Sequence, residues 1–235
     1  MKALILAAGL GERMRPLTDV TPKPLLQVGG KPLICWHLEN LAAAGVREVV
    51  VNTSWLAGQF PAVLGDGQHW GLRLTFIHEG PVPLETGGAL LNAMPWLGAG
   101  PFIGINGDIW TDYDVRRLPA GIDDVAHLVL VDNPPQHVAG DFVLRGDRVE
   151  SEGDARLTFS GIGVYRPELL DNWRSVIGTA AGAEASPPRF RLAPLLRDAM
   201  RRGAVSGEHF AGKWTDVGTP QRLAELDQAL RRAHE

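Results

Sequence analysis

The stretch KALILAAGLGERMRPLTDVTPKPLL, Lys2 to Leu26, decides how the rest of the chain is read. Its first five residues, Lys2 and the apolar run Ala3-Leu4-Ile5-Leu6, read as a strand buried on both faces, ending before Ala7, Ala8 and Gly9. A long loop follows, carrying Gly9, Gly11, Pro16, Pro22 and Pro24 and the cations Arg13, Arg15 and Lys23. Ligands of open α/β sheets sit outside the carboxyl ends of parallel strands, and this loop leaves such an end. Glycine lets the backbone approach a ligand and adopt positive φ, and successive N–H groups can form an anion nest. Cationic side chains around a nest suit a polyphosphate. Two common phosphate motifs do not fit. A Walker A loop needs Lys-Ser/Thr where Met14 and Arg15 stand, and the dinucleotide fingerprint needs a small residue at Met14 and an immediate helix, which the prolines prevent.

Working outward, strands and helices alternate. Glu48–Asn52, Arg73–His78, Phe102–Asn106 and Ala126–Val131 read as strands. Residues 32–44 read as a helix with Ile34, Leu38 and Leu41 on one face, opened by Pro32 and closed by Gly45. Short helices are expected around Ala57–Leu64 and Thr86–Met94. This alternation predicts βαβ units, hence an α/β, Rossmann-like, doubly wound and mostly parallel sheet. Beyond Asp132 the pattern loosens. Phe142–Leu144 and Val149–Glu150 flank Arg-Gly-Asp as a hairpin, and Thr158–Tyr165 reads as a strand. Residues 178–189, rich in Ala, Gly, Ser and Pro, read as a loop, Leu192–Arg202 as a helix, and Thr219-Pro220 as the cap and first residue of a C-terminal helix. The expectation is one domain over 1–235, with a core over about 1–132 and a smaller α+β lobe over about 133–235.

Composition narrows the classes. The 235 residues carry a formal charge of −4, so no global basic field argues for a nucleic-acid partner. The single cysteine, Cys35, excludes an internal disulfide and fits a reducing compartment. No apolar run nears the roughly 18 residues of a membrane helix, and the N-terminal run is too short for a signal peptide. A soluble, cytoplasmic chain is the expectation. Most of the seven tryptophans read as packing residues. The seven histidines show no paired metal spacing; His37 reads as a core or surface residue of its helix rather than a ligand, and Cys35 as buried in that helix rather than nucleophilic.

Ala7-Ala8-Gly9-Leu10-Gly11-Glu12-Arg13-Met14-Arg15-Pro16-Leu17-Thr18, then Pro22-Lys23-Pro24-Leu25-Leu26 and Gly30-Lys31-Pro32-Leu33, resembles the signature of the sugar-1-phosphate nucleotidyltransferases. The likeness runs through Asn106-Gly107-Asp108 to Trp214-Thr215-Asp216-Val217-Gly218-Thr219, nearly the whole chain. It implies the nucleotide-diphospho-sugar transferase fold, and a reaction in which a sugar 1-phosphate attacks the α-phosphorus of a nucleoside triphosphate and pyrophosphate leaves. The chemistry suits the residue types. The nucleophile is already ionised, so the obstacle is charge repulsion, and cations and orientation are what the site must supply.

The resemblance puts Arg13 on the departing pyrophosphate and Lys23 between the α-phosphate and the sugar phosphate. It makes Asp108 and Asp216 ligands of Mg²⁺, a hard cation that takes carboxylates; the two are expected to meet through the fold, with no cation near them in sequence. Ala8, Gly9, Leu10, Gly11, Glu12, Arg13 and Lys23, with Glu79, Thr86 and Gly87, are the expected nucleotide-binding set. Glu85 stands where relatives often carry glycine. Many relatives have a Glu-Glu-Lys-Pro sugar-binding segment; here Val149-Glu150-Ser151-Glu152-Gly153 replaces it, with Glu152 the expected stand-in for its glutamate. The stretches at Asn106–Asp114, His127–Pro134 and Val205–Phe210 resemble the uridylyltransferase branch whose substrates are UTP and N-acetylmuramic acid α-1-phosphate. That branch implies Asn106, Gly140, Asp141, Glu152, Ser160 and Gly161 as the acceptor set. A mannose-1-phosphate guanylyltransferase is the runner-up activity. A non-catalytic nucleotide-sugar-binding regulator is the alternative of another class; retention of Arg13, Lys23, Asp108 and Asp216 opposes it. The missing third glycine opposes a Rossmann oxidoreductase.

Overall fold

The computed structural model describes residues 1–232. One nine-stranded sheet organises the molecule. Its N-terminal half is parallel: β1 (Lys2–Leu6) lies between β4 (Glu48–Thr53) and β6 (Phe102–Asn106), with β5 (Arg73–His78) beyond β4. These strands place alternate residues on opposite faces. Ala3 and Ile5 pack with α2 (Leu33–Ala43) and α3 (Gln59–Leu64), while Leu4 packs with α4 (Glu85–Leu97) on the other face. Helices on both faces explain the near-continuous apolar strands that announced the doubly wound class.

The C-terminal half is mixed. β11 (Arg156–Tyr165) runs antiparallel to both β6 and β8 (Ala126–Val131), β12 (Val205–Phe210) is parallel to β8, and β9 (Phe142–Arg145) and β10 (Arg148–Glu150) form the edge hairpin across Gly146-Asp147. The short α5 (Trp173–Ile177) and α6 (Ala193–Arg201) cover this half. The expected strands and the main helices are present, with ends shifted by a few residues; Pro32, for example, caps α2 rather than opening it.

Four short strands were not foreseen. β2 (Gln27–Val28) pairs with β3 (Lys31–Pro32), and β7 (Ile109–Thr111) with β13 (Trp214–Asp216). Two- and three-residue strands leave no readable periodicity. The glycine-rich loop is also more ordered than its prolines imply: it holds 3₁₀ turns at Glu12–Met14 and Lys23–Leu25 and the single-turn α1 (Leu17–Val20). Met14 explains why no small residue stands at its position. It is buried in a third cluster with Trp110 and Val217, and with Leu226 and Leu230 of α7 (Pro220–Arg232), so the C-terminal helix pins the loop.

Candidate active site

A cavity of about 630 Å³ opens at the carboxyl ends of the parallel strands. The loop after β1 forms one wall: Ala8, Gly9, Leu10, Gly11, Glu12, Arg13 and Lys23 all line it. Gly11 has φ +65°, and a Cβ there would sit 2.8 Å from the Thr18 methyl group. Thr18 in turn donates its hydroxyl to the Gly11 carbonyl at 2.8 Å, and the Met14 N–H donates to the same oxygen. The loop is therefore preformed. Among the described residues the N–H groups of Gly9, Leu10 and Gly11 donate to no protein acceptor, as an anion nest requires. Arg13 is exposed, while Lys23 is buried and donates its ammonium to Asp108 Oδ2 at 2.6 Å.

A polar chain behind the loop fixes the opposite wall. The Ala7 N–H donates to Asn52 Oδ1, Asn52 Nδ2 donates to Glu79 Oε1, and the Leu84 N–H donates to Glu79 Oε2, at 2.7, 2.7 and 2.9 Å. Burial pushes the Glu79 carboxyl above its ordinary range, against the opposing pull of these two donors. Asn52 lines the cavity and was missed in the sequence; the first polar residue after Val49-Val50-Val51, at the strand's carboxyl end, was its signal.

Thr86 lines the cavity, and its hydroxyl accepts the Leu192 N–H at 3.0 Å. Gly87 and Gly88 serve a neighbour. Their N–H groups both donate to the Phe190 carbonyl, and a Cβ on Gly87 would lie 2.6 Å from the Phe190 ring. The 178–189 stretch read as a loop thus ends in a segment, Pro188 to Phe190, docked on the start of α4. This docking brings in Arg189, a cavity residue that no sequence signal marked. Glu85 also lines the wall, with φ +62°. That is a left-handed conformation disfavoured by any side chain, and one that a glycine would adopt without strain.

The two candidate metal carboxylates are brought together by β7 and β13. Asp216 pairs with Ile109 in register, and the Val217 N–H donates to the Asp108 carbonyl at 2.9 Å. Below this turn His37 is buried, and its Nε2 lies 2.9 Å from the Ile109 carbonyl. Burial pushes its pKa down to about 4, so the ring is neutral at pH 7 and Nε2 carries the donated hydrogen. The expectation that no cation lies near Asp216 in the chain is corrected. Arg222 pairs with Asp216 Oδ1 from one turn into α7, where the six-residue spacing and the helix start bring it back. Gln136 Nε2 donates to the same carboxylate at 2.6 Å.

Of the expected acceptor set, Asn106 alone lines the cavity. Gly161 has φ +84° in the bulge of β11, and a Cβ there would sit 2.6 Å from Asn106 Nδ2, so its bareness makes room for that side chain. Ser160 is buried; its hydroxyl accepts the Ile162 N–H, and its carbonyl accepts the Trp214 indole N–H. Asp141 accepts the Phe159 N–H at 2.9 Å and lies 3.0 Å from His137 Nε2, one step back from the bulge. Gly140 is buried beside Asn133 and Arg156, and Glu152 is exposed on the turn before β11.

A sequence profile described as Nucleotidyl transferase matches residues 2–142. The chain belongs to the nucleotidyl transferase family. It is 50% identical over 240 residues to the N-acetylmuramate alpha-1-phosphate uridylyltransferase of Neisseria meningitidis serogroup B, with 98% of each chain covered. It is 30% identical over 230 residues to the mannose-1-phosphate guanylyltransferase of Mycobacterium tuberculosis, covering 93% of this chain and 61% of that one. Among solved structures, the inositol-1-phosphate CTP transferase of T. maritima superposes with a TM-score of 0.78 at 19% identity, covering 100% of this chain and 96% of that one, a likeness of fold. The nucleotidyltransferase assignment agrees with the cavity: its loop wall offers free N–H donors and cations to a polyphosphate, and no nucleophilic side chain is needed.

Proposed function

We propose that this enzyme transfers UMP from UTP to N-acetylmuramic acid α-1-phosphate, yielding UDP-N-acetylmuramic acid and pyrophosphate. The observation that carries this reading is 50% identity, end to end, with an enzyme named for that acceptor and that nucleotide. The guanylyltransferase relative is more distant and longer. The role that follows is cell-wall precursor recycling in the cytoplasm, where UTP is available. Within the single sheet, residues of about 1–132 would hold the nucleotide, and residues of about 133–235 would supply most of the acceptor lobe; residues 233–235 of that range lie outside the described ones.

The donor set of Asp108 and Asp216 fits Mg²⁺. Both offer carboxylate oxygens, Asp216 from β13 and Asp108 from the turn just before its partner β7, and among the described residues no group of three or more His, Cys, Asp or Glu forms a closed metal cage. Mg²⁺ keeps water and substrate phosphates in its shell, so two carboxylates suffice. When bound, the ion would neutralise charge on the phosphates.

The rest of the chemistry belongs to the chain. The free N–H groups of Gly9, Leu10 and Gly11 would receive phosphate oxygens, and Arg13 the charge growing on pyrophosphate. Lys23 would leave Asp108 for the α-phosphate and the approaching acceptor oxygen, drawing two anions together. That oxygen attacks the α-phosphorus, and the bond to the β-phosphate bridging oxygen breaks. The Asn52–Glu79 chain holds the wall against which the nucleoside lies. The test is pyrophosphate release by the full chain with Mg²⁺, UTP and N-acetylmuramic acid α-1-phosphate, with the product mass identified. Absence of UDP-N-acetylmuramic acid would overturn the reading.

A further inference from the structure

Each candidate metal carboxylate already holds a cation of its own, and the two cations come from different parts of the fold. Lys23 pairs with Asp108, and Arg222 with Asp216. Lys23 has a place in the proposed reaction, but Arg222 has none. Its position is well defined. Thr219 caps α7 by accepting the Arg222 N–H at 3.3 Å, which sets the first turn of the helix and aims the side chain at β13. The side chain is only 17% exposed, so the guanidinium is held rather than solvated. Gly218 lies between it and the cavity. Gly218 lines the cavity wall, and a Cβ there would collide with the Arg222 guanidinium and sit 2.9 Å from Asp216 Oδ2. The absence of a side chain at Gly218 leaves the guanidinium at the cavity's edge.

We propose that Arg222 is an exchangeable counter-ion: it neutralises Asp216 while the site is without substrate, and turns to an incoming phosphate oxyanion when a divalent cation takes that carboxylate. The inference rests on the reading of Asp216 as a metal ligand, and it is independent of which sugar carries the phosphate. Two unit cations on two carboxylates leave this corner neutral. A divalent cation entering alone must displace both and strand a poorly solvated guanidinium, which is unfavourable. Arriving with a phosphate, it gives the guanidinium a new planar, bidentate partner. Metal and phosphate binding are thereby coupled through Arg222, and free metal is kept weak. Gln136, neutral and exposed, holds the same carboxylate without contributing to the charge exchange.

The test is Mn²⁺ titration of the full-length protein, followed by electron paramagnetic resonance, with inorganic phosphate as the probe anion and free Mn²⁺ corrected for its phosphate complex. In the wild type, phosphate should tighten Mn²⁺ binding by about fivefold or more, because each removes a penalty on the other. R222Q and R222M should each bind Mn²⁺ alone about tenfold more tightly than wild type and lose the phosphate effect. R222K should restore weak binding and coupling. Q136A, which removes a hydrogen bond but no charge, should leave Mn²⁺ affinity within about twofold of wild type. In turnover, R222Q should raise KM for the sugar phosphate more than KM for UTP. The proposal is overturned if phosphate leaves Mn²⁺ affinity of the wild type unchanged, a result that needs no variant to fold. It is overturned equally if folded R222Q or R222M binds Mn²⁺ no more tightly than wild type. Loss of the muramate specificity alone would sink the proposed substrate and leave this coupling intact.

Discussion

Lys23 is 8% exposed and has one carboxylate partner, so its charge is held where water cannot easily replace that partner. Lys23→Ala should lower kcat/KM by about 10²-fold or more, and Lys23→Arg should recover only part of it, because a planar fork cannot occupy a site shaped for a point charge. Unchanged turnover in folded Lys23→Ala would make the residue structural. Asp108→Asn and Asp216→Asn should each reduce turnover by about 10²-fold at saturating Mg²⁺, measured on variants whose thermal unfolding shows a retained fold. Near-normal rates in either would remove that residue from the ligand set. His37 yields a stability prediction instead. Its folded pKa of about 4 lies below the ordinary value of 6.5, so between those pH values the unfolded chain takes up a proton that the folded chain refuses. Stability should therefore be unaffected by this group above pH 6.5 and fall as pH drops toward 4, by up to about 3 kcal/mol. Urea unfolding at pH 7 and 4.5 measures it, and His37→Gln should flatten the slope.

At the scale of elements, legibility followed length and periodicity. The strands of the parallel half and helices α2 and α7 could be read because their apolar spacing and caps are long enough to count. The pairing of β7 with β13 could not, although it is what joins Asp108 to Asp216; three residues carry no period, and the partners lie about a hundred positions apart. Gly87, which the resemblance places in the nucleotide set, has a bare backbone that admits Phe190, a contact that no sequence spacing announces. Asn106 was legible only through the family resemblance, and Arg189 reaches the cavity through the docking of an irregular segment. Glu85 at the head of α4 combines a positive φ with a half-exposed carboxylate in the cavity wall. Glu85→Gly should raise stability by about 0.5–1 kcal/mol, the strain of a left-handed side chain, seen as a higher Tm. If the strained carboxylate serves nucleotide binding, kcat/KM for UTP should fall by about fivefold in the same variant. A rise in both would show that the residue has no part in turnover.

At the scale of the whole molecule, one sheet carries both parts of the proposed site. The parallel half ends in a preformed nest with its own cations, and β11, β12 and the edge hairpin build the second half beside it. The C-terminal helix closes the arrangement, since its Leu226 and Leu230 pack under Met14 of the nest loop, its Asp227 accepts the Gly29 N–H, and its Arg222 meets Asp216. Sequence and fold agree on the reaction class, because the nest and the cations demand an anionic substrate. They speak less directly on the acceptor, because Asp141 and Glu152 stand off the cavity and Asn106 alone reaches it. The measurement that bears most directly on the proposed function is a matrix of kcat/KM values for four nucleoside triphosphates against the 1-phosphates of N-acetylmuramate, N-acetylglucosamine, glucose and mannose. UTP with N-acetylmuramic acid α-1-phosphate should give the highest value; a higher value for GTP with mannose 1-phosphate, or for any other pair, would contradict it.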